Sequence, residues 1–166
     1  GKCVDTTMGL GPLAGIPMGT RSGTIDPTII EYISKMENMD IKSILNALNK
    51  KSGYLGLSGI SHDSRVIEDA AEAGDERAIL ALDVQTKSVL DYIGSYYVYM
   101  GGIDAIVFTA GIGENNGAFR KRVLDKLSIF GVEYNEEVIN IRKKEIELST
   151  PNSKIKAFVI PTNEEL

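Results

Sequence analysis

The segment that most constrains this chain is Ala105-Ile106-Val107-Phe108-Thr109-Ala110, followed directly by Gly111-Ile112-Gly113-Glu114-Asn115. A short, nearly continuous apolar run rich in β-branched residues predicts a buried central strand. A Gly-x-Gly turn behind it, leading into a helix from about Asn115 to Ile129, predicts an α/β arrangement. The glycines let backbone N–H groups approach an anion, and the start of the following helix favours negative charge. The loop is not a Walker A sequence, since no Gly-Lys-Ser/Thr follows. Nor is it a dinucleotide fingerprint, because the next glycine, Gly117, comes one residue too late. From the residues alone, the segment is either a phosphate or nucleotide cradle or a tight structural turn.

The surrounding sequence supplies mostly helices. Asp5 to Gly23 is dense in Gly, Thr, Met and Pro and cannot be helical throughout. Asp26-Pro27 announces a helix to about Glu37, and Asp40 caps a second, with Ile41, Ile44, Leu45 and Leu48 at helical spacing. The glycines of Gly53–Gly59 break it. Asp63 starts a helix through Ala73, and Gly74-Asp75 stops that one and caps the next. Glu76 to about Met100 reads as one long helix of roughly 35–40 Å. Gly131 closes the helix after the glycine turn, and Asn135-Glu136-Glu137 can cap a further helical turn. Glu145–Leu148 and Lys154–Ile160 read as strands around the turn Thr150–Ser153.

With 166 residues, 43% of them hydrophobic and 25% charged, the chain has the composition of one globular domain, expected to span residues 1–166. The net charge of −5 and the absence of clustered Lys and Arg argue against nucleic acid as a partner. The short run Arg142-Lys143-Lys144 is read as a solvated face. No apolar run approaches the roughly 20 residues of a membrane span, and no leader is visible at the N-terminus. Cys3, the single cysteine, can form no intrachain disulfide, which fits a reducing, cytoplasmic setting. No histidine lies near Cys3 in sequence, so it is not read as a nucleophile, and His62 has no evident ligand partner. Tyr92, Tyr96 and Tyr99 share a helix face and are read as core or dimer contacts.

Three further segments can carry chemistry. In Met18-Gly19-Thr20-Arg21-Ser22-Gly23 an arginine lies between glycines, where it can reach a phosphoryl group and spread over its equatorial oxygens; a surface arginine in a flexible loop is the alternative. Pro161-Thr162-Asn163-Glu164-Glu165 places carboxylates at the end of an apolar strand, suited to a cation or to acid–base work, or simply exposed at a chain end. Asp63-Ser64-Arg65 is a third candidate, with Asp63 also readable as a plain helix cap.

In this order, DTTMGLGPLAGIPMGTRSGTIDP, SGISHDSR, GGIDAIVFTAGIGENN and VIPTNEEL resemble the acetate kinase family, and the likeness runs through nearly the whole chain. Propionate and butyrate kinases share much of it. The resemblance implies the fold of the sugar kinase, heat-shock chaperone and actin superfamily: the C-terminal domain of an actin-like ATPase (ribonuclease H-like), a central mixed sheet flanked by helices. It also implies reversible transfer of the ATP γ-phosphoryl group to acetate, giving acetyl phosphate and ADP, with Mg²⁺ or Mn²⁺, in a cytoplasmic homodimer paired through this half. By position, Arg21 matches the arginine that stabilises the transferring group and Glu164 the Mg²⁺-associated glutamate. Asp63, Ser64 and Arg65 match the adenosine-side segment. Gly111, Ile112, Gly113, Glu114 and Asn115 match the nucleotide loop, and Pro12 matches a proline lining the pocket for the acetate methyl group.

The chain departs from the family's usual Thr-Pro-Leu-Glu-Gly at Gly11-Pro12-Leu13-Ala14-Gly15, and Ser64 stands where an apolar residue is commoner. The family's N-terminal domain, with its His-x-Gly-Asn-Gly phosphate loop, is not in this sequence. The expectation is therefore a C-terminal, nucleotide-binding portion that is inactive by itself. A non-catalytic nucleotide-binding or dimerisation module, and a piece of a propionate or butyrate kinase, are the alternatives.

Overall fold

The computed structural model describes residues 1–162. These residues form two compact units, Gly1–Tyr92 and a second from Ile93 on. Each has its own apolar core, which is what lets each be a unit.

The first unit is helical. Helix α1 spans Thr28–Glu37, α2 Ile41–Lys50, α3 Gly53–Ser58 and α4 Ser64–Glu72, and the division between the units falls within α5, Glu76–Tyr99. Acidic residues start four of these five helices as expected. The Asp26 carboxylate accepts from the Thr28 amide at 2.9 Å, Asp40 from Ser43 at 2.6 Å, Asp63 from Arg65 at 2.9 Å and Asp75 from Ala78 at 2.8 Å. Each bond satisfies one of the amides that a helix start leaves without an intrahelical partner. Tyr54, Ile67, Ala78, Ala81 and Leu82 form the core. The Tyr54 hydroxyl donates to the side-chain oxygen of buried Gln85, so both polar groups are paired. The break expected at Gly53–Gly59 is present, α2 ending at Lys50, and within it Gly53–Ser58 forms a short helix of its own.

In the second unit, strand β1 (Ala105–Phe108) pairs in parallel with β3 (Lys156–Val159), which pairs antiparallel with β2 (Ile146–Glu147). The sheet is small and mixed, in the order β1-β3-β2, so β3 is central and β1 is an edge strand among the described residues. This corrects the expectation of a buried central strand at 105–110. Only Phe108 of β1 is buried, and Val107 is 48% exposed. β3 instead alternates, with Ala157 and Val159 fully buried. Parallel pairing of β1 with β3 requires a crossover. It is made by α6 (Ala110–Asn115), α7 (Gly117–Lys126) and a 3₁₀ turn at Leu127–Phe130 closed by Gly131. Phe108 meets Phe119 edge-on at 6.3 Å, and Val123, Leu124, Leu127, Ile139 and Leu148 complete the core. Residues 135–140 form turns rather than a helix, begun by an Asn135 side chain that accepts from the Glu137 amide at 2.9 Å. No helix among the described residues is long and apolar enough to cross a membrane.

Candidate functional site

In the first unit, the loop around Arg21 is held by main-chain bonds. The Met18 amide donates to the Arg21 carbonyl at 3.1 Å, Ser22 to Leu48 at 2.9 Å, Ser52 to Thr20 at 2.9 Å, Tyr54 to Met18 at 3.0 Å and Leu55 to Gly19 at 2.9 Å. The loop is thus laid across the end of α2 and the start of α3. Gly53, at φ +59°, is required there, because a side chain would collide with the Met18 carbonyl oxygen. Among the described residues the Arg21 guanidinium reaches only the Met18 thioether, at 3.5 Å. It is an anchored arginine with its donors largely unspent, not one in a flexible loop.

The Asp63 segment touches this loop through the backbone: an idealised Cβ on Gly19 would lie 2.6 Å from the His62 carbonyl oxygen. Asp63 receives the Arg65 Nε–H at 3.0 Å and its Nη2 at 2.5 Å, besides the amide bond that caps α4. Those hydrogen bonds from Arg65, side chain first and backbone second, hold the Asp63 carboxyl at about 2. Arg65 itself is largely exposed. Ser64 is the first residue of α4. Pro12 is exposed in a turn. An apolar cavity of about 340 Å³ opens beside it, lined by Gly11, Leu13, Ala14, Ile25, Pro27 and Leu48 among others.

The second unit holds the glycine segment, which is a short helix rather than the loop read from its glycines. α6 enters from Thr109 in extended geometry through Ala110 at φ +56°, a conformation that costs an L-residue roughly 1–2 kcal/mol. Asn116, extended at φ −113°, separates α6 from α7 and caps the latter by accepting from the Phe119 amide at 2.8 Å. Two glycines are tolerable in a helix this short because side chains hold it. The Thr162 hydroxyl accepts from the Ala110 amide at 3.1 Å and shares a 2.6 Å bond with the Thr109 hydroxyl. The Glu114 carboxylate accepts from the Thr162 amide at 2.8 Å. Asn115 Nδ2 donates to the Gly111 carbonyl at 3.0 Å within the turn. These bonds tie the exit of β3 to the turn after β1 and stabilise the strained Ala110.

The structure thus brings Arg21 and the Asp63 segment together in one unit, and Gly111–Asn115 with Thr162 in the other. Glu164 lies outside the described residues. Among the described residues no group of three His, Cys, Asp or Glu side chains could hold a metal ion, so they do not by themselves fit one. Sequence reading missed Arg120, which is fully buried and bonds the Gly113 carbonyl at 2.7 Å. A signal was present: Arg120, Val123, Leu124 and Leu127 follow the spacing of a buried helix face.

The sequence model of the acetokinase family matches residues 1–166. The chain belongs to this family. It is 58% identical over 163 residues to an acetate kinase of Phytoplasma mali (strain AT), covering 98% of this chain and 41% of that protein. Among solved structures it resembles Porphyromonas gingivalis acetate kinase (TM-score 0.91, 41% identity, covering 96% of this chain and 40% of that one). It equally resembles a propionate kinase from Francisella tularensis subsp. tularensis SCHU S4 (TM-score 0.90, 41% identity, covering 98% and 41%). This acetokinase-family chain therefore spans about two-fifths of the length of the relatives it matches.

Proposed function

We propose that this chain is the nucleotide-binding portion of an acetate kinase, which exchanges a phosphoryl group between ATP and acetate. The observation that carries the reading is identity of more than half to acetate kinases over the full length of this chain. In this reading the acetate carboxylate oxygen forms the new bond to the γ-phosphorus while the bond to the ADP oxygen breaks. Such an in-line transfer asks for positioning and charge neutralisation rather than a strong base. Arg21 supplies donors to the equatorial oxygens, and its anchored backbone and unspent guanidinium support that role. Gly111–Asn115 forms a wall of the nucleotide site. Asp63, Ser64 and Arg65 line the adenosine side, and Pro12 the acetate side. A divalent cation, Mg²⁺ or Mn²⁺, accompanies the nucleotide, with Glu164 as its proposed ligand. The protein works in the cytoplasm as a homodimer.

The propionate kinase likeness supports a second reading of the acceptor alone. The test is phosphoryl transfer by the full-length protein carrying this sequence, with acetate, propionate and butyrate compared by kcat/KM. Acetate is expected to lead. A lead for propionate or butyrate moves the substrate assignment, and transfer to none of the three overturns the kinase reading.

A further inference from the structure

Among the described residues Arg120 is the only buried side chain that carries a charge, and it is 0% exposed. Among the described residues its bonds all run to main-chain carbonyls. Nη1 donates to Gly113 at 2.7 Å, Nε and Nη2 to Ile139 at 3.1 and 2.5 Å, and Nη2 also to Ile141 at 2.8 Å. Burial, and secondarily the charge of Arg142, push its pKa down rather than up. Taking a guanidinium out of water without a carboxylate costs several kcal/mol that an apolar side chain of similar volume would avoid. Packing alone therefore does not account for an arginine here.

Its geometry does. The planar fork has donors at fixed separations. One arm holds the middle carbonyl of the Gly111–Asn115 turn, and the other holds the segment 139–141. The start of α7 packs against the same anchor: a Cβ on Gly117 would fall 3.0 Å from both Asn140 Cα and the Ile139 carbonyl oxygen. Glu114 and Thr162 brace the same turn from its other end.

We infer that Arg120 is a positioning residue for the nucleotide, setting the Gly111–Asn115 turn through the Gly113 carbonyl. The inference rests on the reading of that turn as a nucleotide wall. Arg120 does not touch the substrate; it fixes where the turn's backbone stands, and the 139–141 segment is its anchor.

The test uses the full-length protein and Arg120→Lys, which keeps the charge but not the fork, beside Arg120→Gln. In Arg120→Lys, the ADP dissociation constant is expected to rise about tenfold, while the KM for acetate stays within about twofold of wild type. A folded Arg120→Lys with wild-type ADP affinity overturns the inference, as does an equal rise in both constants. A second measurement needs no variant. In wild-type protein labelled with ¹⁵N-arginine, the Arg120 Nε–H resonance should move on saturation with ADP and stay put with acetate alone. Saturating ADP with no movement overturns the inference even if both variants fail to fold. If wild-type protein binds no ADP, the nucleotide reading itself fails and takes this one with it.

Discussion

The arginine loop of the first unit and the glycine turn of the second are both rich in glycine, yet they are held in opposite ways. The loop around Arg21 is fixed by main-chain bonds to α2 and α3, and among the described residues its one charged side chain bonds only a thioether. The turn at Gly111–Asn115 is fixed by side chains: Arg120 at Gly113, Thr162 at Ala110 and Glu114 back to Thr162. A backbone-held loop leaves its side chain free for a ligand. A side-chain-held turn owes the place of its backbone to those braces. Point substitutions should therefore act differently in the two regions.

The largest effect is expected at Arg21. Arg21→Ala in the full-length protein should lower kcat by about 10²–10³-fold with ADP affinity changed less than about threefold and the melting temperature nearly unchanged. Equal losses in turnover and affinity, by steady-state kinetics and calorimetry, would place Arg21 among the binding groups instead. Next comes the backbone that holds it. Gly53→Ala combines a left-handed φ with a collision against the Met18 carbonyl, so denaturant unfolding should show a loss of about 2–4 kcal/mol. A loss below about 0.5 kcal/mol would mean the loop is not anchored there.

Smaller effects belong to the second unit. Glu114→Ala and Thr162→Val should each weaken ADP binding by about 1 kcal/mol, and the double variant should lose less than the sum, because both act on one brace. Strict additivity would instead favour a direct nucleotide contact by Glu114. The smallest effect is electrostatic. Asp63 has a depressed folded-state pKa of about 2, so its contribution to stability is present above its unfolded pKa of about 3.9 and fades as pH falls toward 2. Wild type should exceed Asp63→Asn in stability above pH 4, and the two should converge near pH 2. A gap that persists at pH 2 would trace the difference to packing rather than to the carboxylate charge.

The sequence disclosed the parts whose cause is local. Asp26, Asp40, Asp63 and Asp75 announce helices because a carboxylate at a helix start bonds a free amide, and each does so. The turn at Thr150–Ser153 is likewise set by its own residues, with the Ser153 amide donating to the Thr150 carbonyl at 3.1 Å. What depended on distant partners was not legible. Gly53–Gly59 reads as a helix break and Gly111–Gly113 as a loop because glycine weakens a helix, and only tertiary bonds show why Gly53–Ser58 and Ala110–Asn115 are helical. The central place of β3, and the edge position of the more apolar β1, follow from a crossover that no window of sequence contains. Arg120 sat in a run of three basic residues, Arg120-Lys121-Arg122, that resembles a solvated face, although its spacing matched the buried one. Of the candidate site, the segments were legible and their bracing was not.

The central claim, that the side-chain-held turn is a wall of a nucleotide site, is tested most directly by following the backbone amides of 111–115 while ADP is titrated into folded protein. The account predicts that these amides, with that of Thr162, show the largest saturable shifts in the second unit. Saturating ADP that leaves Gly111–Asn115 unmoved would contradict it.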